Sequence, residues 1–229
     1  MKVNIDKSSG FCFGVVSAIR AAENELENKG ELFCLGDIVH NSEEMNRLNE
    51  KGLKYINYDT FNSLTNVSVL IRAHGEAPQT YKTALLNNIT LIDASCPVVL
   101  KLQANIRKSW LSLKQNNGQL VICGKHNHAE VIGLLGQTNN EAIVISDTNE
   151  IDKIDFSRPI EIFAQTTYSV ETFNEIVNII KANTLQNENK EIYVNSHNTT
   201  CGAVSNRVSQ LKKFSEENDV VIFVSDKKS

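Results

Sequence analysis

Residues Thr90–Leu102 read TLIDASCPVVLKL: a short apolar run, a small polar loop and a cysteine at the start of a predicted helix. The same order recurs around two other cysteines, at residues 2–15 (KVNIDKSSGFCFGV) and 191–208 (EIYVNSHNTTCGAVSNRV). Between them, continuous Val, Ile and Leu runs alternate with amphipathic stretches, a pattern typical of parallel strands covered on both faces. The sequence therefore predicts an α/β protein built from small parallel-sheet domains.

The alternating pattern predicts eight strands and seven helices. The predicted strands are Glu31–Leu35, Val67–Ala73, Thr90–Asp93, Gln119–Cys123, Ala142–Ser146, Glu161–Ala164, Glu191–Asn195 and Asp219–Ser225. The predicted helices are Val15–Asn28, Ser42–Lys51, Gln79–Asn87, Val98–Gln115, Glu130–Leu135, Val170–Ala182 and Ala203–Glu217.

Two boundaries divide this pattern into three domains. One falls at Cys96-Pro97, where a strand ends and a long helix begins, and the other in the polar segment Asn183–Lys190. The predicted domains are residues 1–96, 97–190 and 191–229, and the strand-like N-terminus belongs either to the first or to the third. The last stretch has too few elements to bury a core of its own, so we interpret it as an incomplete third domain.

Cys12, Cys96 and Cys201 are the candidate metal ligands. Backbone N–H groups at a helix N-terminus stabilise a thiolate, and each of these cysteines precedes a predicted helix. Their wide separation excludes a zinc finger or a ferredoxin-type run, in which the ligands cluster in sequence. We interpret them as the ligands of a [4Fe–4S] cluster with one iron open to a substrate. Cys34 and Cys123 lie inside apolar runs and are predicted to be buried packing residues.

Composition excludes several classes of protein. The net charge of −4 and the pI near 5.8 leave no basic footprint for nucleic-acid binding. No apolar stretch approaches the roughly 20 residues that span a bilayer, and the N-terminus does not read as a secretory or transit peptide. Five cysteines without a disulfide-dense pattern fit a reducing compartment, so we expect a cytoplasmic protein.

Candidate ligand-binding side chains follow four predicted strands, where α/β folds place their sites. His40, His74 and His128 can donate hydrogen bonds to an anionic oxygen. Glu130, two residues after His128, can act as a general acid, and the hydroxyl groups of the Thr166-Thr167 pair can reach a ligand. Two further histidines are interpreted as solvated loop residues, His126 and His197.

Seven motifs occur in one order: GFCFGV, IVHN, AHGE, DASCPVV, HAEVIG, QTTYSV and TTCGAVSNRV. Together they resemble the 4-hydroxy-3-methylbut-2-enyl diphosphate reductase (LytB) family, and the resemblance runs from Lys2 to Ser229. It implies a trefoil of three α/β domains with pseudo-threefold symmetry around a central cavity. It also implies that the three cysteines hold the [4Fe–4S] cluster and that the histidines line a diphosphate pocket.

The resemblance implies further that Glu130 takes part in protonation and that Thr166, with Thr167 beside it, contacts the substrate. The family removes the substrate's hydroxyl group with two electrons and two protons, which gives isopentenyl and dimethylallyl diphosphates. An allylic diphosphate is therefore the expected substrate, and a ferredoxin- or flavodoxin-like protein the expected electron donor.

The C-terminal residues depart from the family pattern. Ser229 corresponds to the first serine of a Ser-Ser-Asn segment that grips the diphosphate, and Asp226 stands where a glycine is usual. The resemblance therefore implies a C-terminally truncated family member. Two other interpretations are an inactive remnant that binds only a cluster or a diphosphate, and another three-cysteine cluster enzyme of the quinolinate-synthase type.

Overall fold

The computed structural model describes residues 2–185 and 192–225, which form two compact units. The first unit comprises residues 2–75, 79–97 and 206–225, and the second comprises residues 76–78, 98–185 and 192–205. Each unit contains one four-stranded sheet, and every strand pair in both sheets is parallel. The predicted α/β class with parallel sheets is confirmed.

The first sheet has the strand order β2-β1-β3-β4. Its strands are β1 (Leu32–Leu35), β2 (Leu53–Ile56), β3 (Ser68–Ile71) and β4 (Thr90–Asp93), and the helices along this stretch are α1 (Phe13–Lys29), α2 (Ser42–Glu50), α3 (Tyr58–Ser63) and α4 (Pro78–Leu86). The strand order reverses between β1 and β3, so the loops after these two strands lie where open α/β sheets bind ligands.

The second sheet repeats this arrangement with the order β6-β5-β7-β8. Its strands are β5 (Gln119–Cys123), β6 (Ile143–Ile145), β7 (Ile160–Ala164) and β8 (Val194–His197), and the remaining helices are α5 (Pro97–Gln115), α6 (Ala129–Gly136), α7 (Val170–Leu185), α8 (Gly202–Ser205) and α9 (Arg207–Glu216). The reversal here falls between β5 and β7, which places the loops GKHNHAE and QTT at the corresponding edge of the sheet.

Apolar faces of the helices close the core of each unit. In the first unit, Ala18, Ala22 and Leu26 of α1 are buried in one cluster with residues of β1 and β3. In the second unit, Phe173 and Ile176 of α7 pack in the same way with residues of β5 and β7. No helix in the described ranges is both long and apolar enough to cross a membrane.

The prediction missed the strand β2 and the helix α3. In β2 only the two end residues, Leu53 and Ile56, are buried, and the two residues between them are exposed. Because β2 lies at the edge of its sheet, a neighbouring strand covers it on one side only. Its sequence LKYI therefore lacks the continuous apolar run by which buried strands are recognised. Helix α3 has six residues and is too short to show a helical period.

The strand predicted at Asp219–Ser225 was wrong. Residues 219–225 form no strand, and the side chains of Val220, Ile222, Phe223 and Val224 are each more than 70% exposed. The N-terminal residues 2–6 form no strand either, although Asn4 Nδ2 donates to Asn218 Oδ1 at 2.9 Å. Apolar, β-branched residues favour a strand only where a neighbouring strand takes up their backbone hydrogen bonds and another layer covers them.

The strand predicted at Glu191–Asn195 lies at Val194–His197 and belongs to the second sheet, where it pairs in parallel with β7. The sequence had assigned it to a third domain, and pairing with β7 corrects that placement. Glu191 itself lies outside the described residues. The predicted helix Ala203–Glu217 is present as two pieces, α8 and α9. The three-domain division as a whole stays a prediction.

Candidate active site

Cys12 and Cys96 both lie near the start of α1 in the first unit. Cys12 is the extended N-cap residue of this helix and is exposed. The amide of Cys96 donates to the carbonyl of Ala73 at 3.0 Å, which ties this cysteine to the loop that carries His74. Gly14, in the first turn of α1, is buried, and a Cβ atom placed on it would lie 2.9 Å from Cys96 Sγ. The helix therefore needs a glycine here to admit the thiol.

Replacing Gly14 with alanine is expected to displace the Cys96 thiol. The added methyl group overpacks the site and should lower the free energy of unfolding by about 1–3 kcal/mol. It should also reduce the iron bound per chain after anaerobic reconstitution, because the thiol can no longer occupy the same position. Gly30→Ala is the matched control: Gly30 caps the other end of α1 at φ 74°, with nothing within 4 Å of the added atom. This control should cost stability through its backbone conformation and leave iron uptake unchanged; equal iron uptake by the two variants would contradict the expectation.

His40 and His74 lie together at the switch point of the first sheet. They follow β1 and β3, and their ring centroids are 6.2 Å apart with an interplanar angle of 47°. His40 is exposed and His74 is half-buried. Both rings lie at the carboxyl edge of the sheet, where imidazole N–H groups can bind an anionic ligand.

Arg72 links the two loops that carry these histidines. Its Nη1 donates to the carbonyl of Asp37 at 3.2 Å, across from β3 to the loop after β1. The guanidinium lies against Gly36, where a Cβ atom would come within 2.6 Å of it. Sequence reasoning missed this contact, although an arginine directly after a buried strand and a glycine directly after its neighbour were available as signals.

Glu130 is the buried carboxyl group of the second unit. It lies in the first turn of α6 and is 1% exposed. Its Oε1 accepts from the Thr166 amide at 2.7 Å, and its Oε2 accepts from Thr166 Oγ1 at 2.6 Å. Burial raises the pKa of Glu130, and the two hydrogen bonds from Thr166 offset part of that rise. A carboxyl group whose pKa is raised in this way is a candidate general acid.

His128 caps α6 and is thereby fixed in orientation. Its Nδ1 accepts from the amide of Glu130 at 3.1 Å. Because Nδ1 accepts, the neutral ring carries its proton on Nε2, which is then a hydrogen-bond donor.

Cys201 is held beside Thr166 in the same unit. Its amide donates to the Thr166 carbonyl at 2.7 Å. The Thr166 residue thus bonds to Glu130 through its amide and hydroxyl groups and to Cys201 through its carbonyl. Thr166 therefore links two other residues, Glu130 and Cys201, that the sequence analysis identified separately.

Thr167 is exposed, and its hydroxyl oxygen accepts from Gln165 Nε2 at 3.0 Å. Gln165 is only 2% exposed, and its Oε1 accepts from the amide of Lys125 at 2.9 Å. This glutamine fixes both the Thr167 hydroxyl and the loop that leads to His128. Sequence reasoning missed it, and its signal was a polar side chain directly after a buried strand.

The structure also accounts for the remaining candidates. His126 and His197 are each paired with a carboxylate: His126 Nε2 lies 2.8 Å from Glu150, and His197 Nε2 lies 2.7 Å from Glu161. Cys34 and Cys123 are fully buried, as predicted. Ser229 lies outside the described residues, and its predicted part in binding stays a prediction.

The cysteines fit an iron–sulfur cluster in their chemistry. Thiolates are the ligands that these clusters use, and the three candidate cysteines are exposed or half-exposed. The pocket that Gly14 leaves for Cys96 shows that room is kept for one of these thiols. The two other cysteines lie inside the cores, where burial raises the pKa of Cys123 to about 12 and keeps it a thiol.

Comparison with known proteins relates this chain to one family. The family model described as LytB protein matches residues 3–229. Curated relatives from Bacteroides fragilis and Bacteroides thetaiotaomicron are each 50% identical over 229 residues, and both are named 4-hydroxy-3-methylbut-2-enyl diphosphate reductase. The alignments cover 100% of this chain and 78% of each relative.

Solved structures of similar fold include the E-1-hydroxy-2-methyl-but-2-enyl-4-diphosphate reductase from Plasmodium falciparum. It matches with a TM-score of 0.81 at 27% identity, over 96% of this chain and 67% of the other. A second is an (E)-4-hydroxy-3-methyl-but-2-enyl diphosphate reductase, described as the terminal enzyme of the non-mevalonate pathway. It matches with a TM-score of 0.77 at 32% identity, over 99% of this chain and 78% of the other.

Proposed function

The chain belongs to the LytB protein family, and on that premise we propose that it is an oxidoreductase of isoprenoid biosynthesis. The proposed reaction converts 4-hydroxy-3-methylbut-2-enyl diphosphate to isopentenyl and dimethylallyl diphosphates. The carbon–oxygen bond of the hydroxyl group breaks, two electrons enter, one proton leaves with the oxygen as water, and a second is added to carbon. The contact that most directly supports this chemistry is the one that joins Glu130, Thr166 and Cys201 in the second unit.

The family implies an iron–sulfur cluster, and we propose that it is a [4Fe–4S] cluster held by Cys12, Cys96 and Cys201. When bound, such a cluster would relay the two electrons from the external donor and would supply Lewis-acid chemistry for the departure of the hydroxyl group. The chain's own residues then have to orient the substrate and supply protons.

Glu130 is the proposed proton donor. It is buried, its pKa is raised by burial, and the Thr166 amide and hydroxyl hold its carboxyl group in one orientation. A carboxyl group whose pKa is raised holds its proton more firmly than an exposed one and can give it to a leaving oxygen. Thr166 has the further role of a substrate contact in this proposal.

The diphosphate is assigned to donors that carry no fixed positive charge. His40, His74 and His128 offer imidazole N–H groups, of which the His128 Nε2 position is a donor in the neutral ring. The exposed Thr167 hydroxyl group and Ser229 complete the proposed set.

A ferredoxin- or flavodoxin-like protein is the proposed electron donor. A cytoplasmic location is part of the same proposal, because five free cysteines fit a reducing compartment.

Anaerobic reconstitution followed by Mössbauer spectroscopy, with and without the allylic diphosphate, tests the proposal. We expect a [4Fe–4S] spectrum in which one iron site changes when the diphosphate is added, and formation of both products with dithionite as reductant. If the spectrum of the cluster does not change with the diphosphate and no product forms, the proposed reaction is overturned. That result would favour the interpretation of the chain as an inactive remnant that binds only a cluster. A change produced by a dicarboxylate in place of the diphosphate would favour the quinolinate-synthase type, and no cluster at all would overturn the metal centre.

A further inference from the structure

The edge strand β8 and the residue before it carry polar side chains at alternate positions, and these bond to Glu161 of the neighbouring strand β7. Tyr193 Oη donates to Glu161 Oε1 at 2.6 Å, and His197 Nε2 lies 2.7 Å from Oε2. Asn195 stands opposite Glu161 in the parallel pairing, and its Nδ2 lies 3.5 Å from Oε1. On the other side, Ser109 of α5 donates to Oε2 at 3.1 Å.

Thr199 continues this alternation two residues beyond the end of β8. Its Oγ1 accepts from the amide of Ala164 at 3.0 Å and also donates to the Ala164 carbonyl. Ala164 is fully buried, so the single hydroxyl group of Thr199 satisfies two backbone groups that have no access to water. Two residues further on, the Cys201 amide reaches the Thr166 carbonyl.

We propose that Glu161 and Thr199 are positioning residues that set the register of β8 on β7 and thereby place Cys201 beside Thr166. This inference rests on the proposed role of Cys201 as a cluster ligand. A slip of one residue in a parallel pair turns every side chain to the opposite face, so the register decides whether the cysteine faces Thr166.

Apolar burial specifies this register only in part, because Val194 is the one apolar residue of β8 that packs against the apolar core of the second unit. Val194, Asn195, Ser196 and His197 are all half-buried, without the alternation of buried and exposed positions that fixes a strand on a core. Polar contacts with specific partners therefore have to fix the register of β8 on β7. Burial opposes ionisation of Glu161, but hydrogen bonds from Tyr193 and His197 outweigh it and hold the pKa of this carboxyl below its usual value. Glu161 is thus a carboxylate held by directional hydrogen bonds.

The inference can be tested with Thr199→Val, which keeps the shape of the side chain and removes its hydroxyl group. In the apo protein, we expect hydrogen exchange at the Ala164 amide to accelerate about 5- to 100-fold, because one bond is lost and a buried donor is left unsatisfied. The Cys201 amide should lose protection as well. After reconstitution, iron per chain should fall, with a larger share of the cluster as the three-iron form detected by EPR. Thr199→Ser keeps the hydroxyl group and should resemble the parent chain in all of these measurements.

Thr184→Val is the matched control, since it removes a buried hydroxyl group that donates to the Lys181 carbonyl within α7. It should leave the exchange at residue 164 and the iron content unchanged. Glu161→Gln tests the other proposed positioning residue. It should accelerate hydrogen exchange at the Ala164 and Cys201 amides, but less than Thr199→Val does. Normal protection and iron content in both Thr199→Val and Glu161→Gln would overturn the inference, as would a Thr199→Ser variant as impaired as the valine variant.

These measurements separate the inference from the proposed function. If the parent chain takes up no cluster, the proposed metal centre fails, whereas the exchange data on the apo protein still decide whether Thr199 and Glu161 hold the register.

Discussion

Serine in place of Cys12, Cys96 or Cys201 is expected to leave the chain without a stable iron–sulfur cluster and without reductase activity. Iron–sulfur clusters require soft thiolate ligands, and a serine hydroxyl group is a hard ligand that does not ionise near neutral pH. Each single substitution should therefore reduce the visible absorption and the iron content after anaerobic reconstitution to near background. The three variants should retain the circular dichroism of the parent chain, because none of these cysteines is fully buried.

The two buried cysteines are the matched controls for this experiment. Cys34 and Cys123 are fully buried, so replacing either with alanine should lower the free energy of unfolding by about 1–2 kcal/mol through loss of packing. Both variants should still bind the full complement of iron. If replacing Cys123 removes the cluster and replacing Cys96 does not, the proposed assignment of the ligands is wrong and the proposed centre is refuted.

Glu130→Gln is expected to lower turnover by about 10²–10⁴-fold while the cluster is retained, because the substitution removes the proton donor and keeps its shape. The amide oxygen of glutamine can still accept from the Thr166 amide, so the local fold should persist. Iron content and the diphosphate-dependent change in the Mössbauer spectrum should match the parent chain. Glu150→Gln is a suitable control: Glu150 accepts hydrogen bonds from His126 and Ser146 and does not contact Glu130 or Thr166. Near-normal turnover of Glu130→Gln would show that a group other than Glu130 supplies the proton.

The same substitution should also change how stability depends on pH. Burial raises the pKa of Glu130 above its ordinary value of 4.5, so the folded chain binds this proton more tightly than the unfolded chain does. The stabilising effect of the protonated form is full below pH 4.5 and is lost as pH rises through the folded pKa. Urea unfolding of the parent chain and of Glu130→Gln across this range should therefore shift in favour of glutamine as the pH rises. A constant difference between the two would mean that the pKa of Glu130 is not raised in the fold.

Much of the fold could be predicted because the central strands of the two sheets, β1, β3, β5 and β7, are buried along almost their whole length. Runs such as QLVIC at β5 and EIFA at β7 are typical of strands that are covered on both faces of the sheet, and all five residues of β5 are buried. The failures fall where burial is partial or absent. Strand β2 was missed because half of it is exposed, and the run VVIFV at residues 220–224 was predicted as a strand although no neighbouring strand pairs with it.

The sequence by itself determined the parallel α/β class, the separation of the cysteines into three candidate ligands and two core residues, and the loops that carry the histidines and Glu130. These are local properties, because continuous apolar runs and the residues directly after them can be recognised without knowing what they pack against. Only the tertiary structure decided that Glu130 and Cys201 share Thr166, that Gly14 makes room for Cys96, and that Thr199 holds the end of β8. Each of these contacts joins residues far apart in the chain, and it exists only because a particular register of parallel strands brings their carboxyl ends to one edge of a sheet.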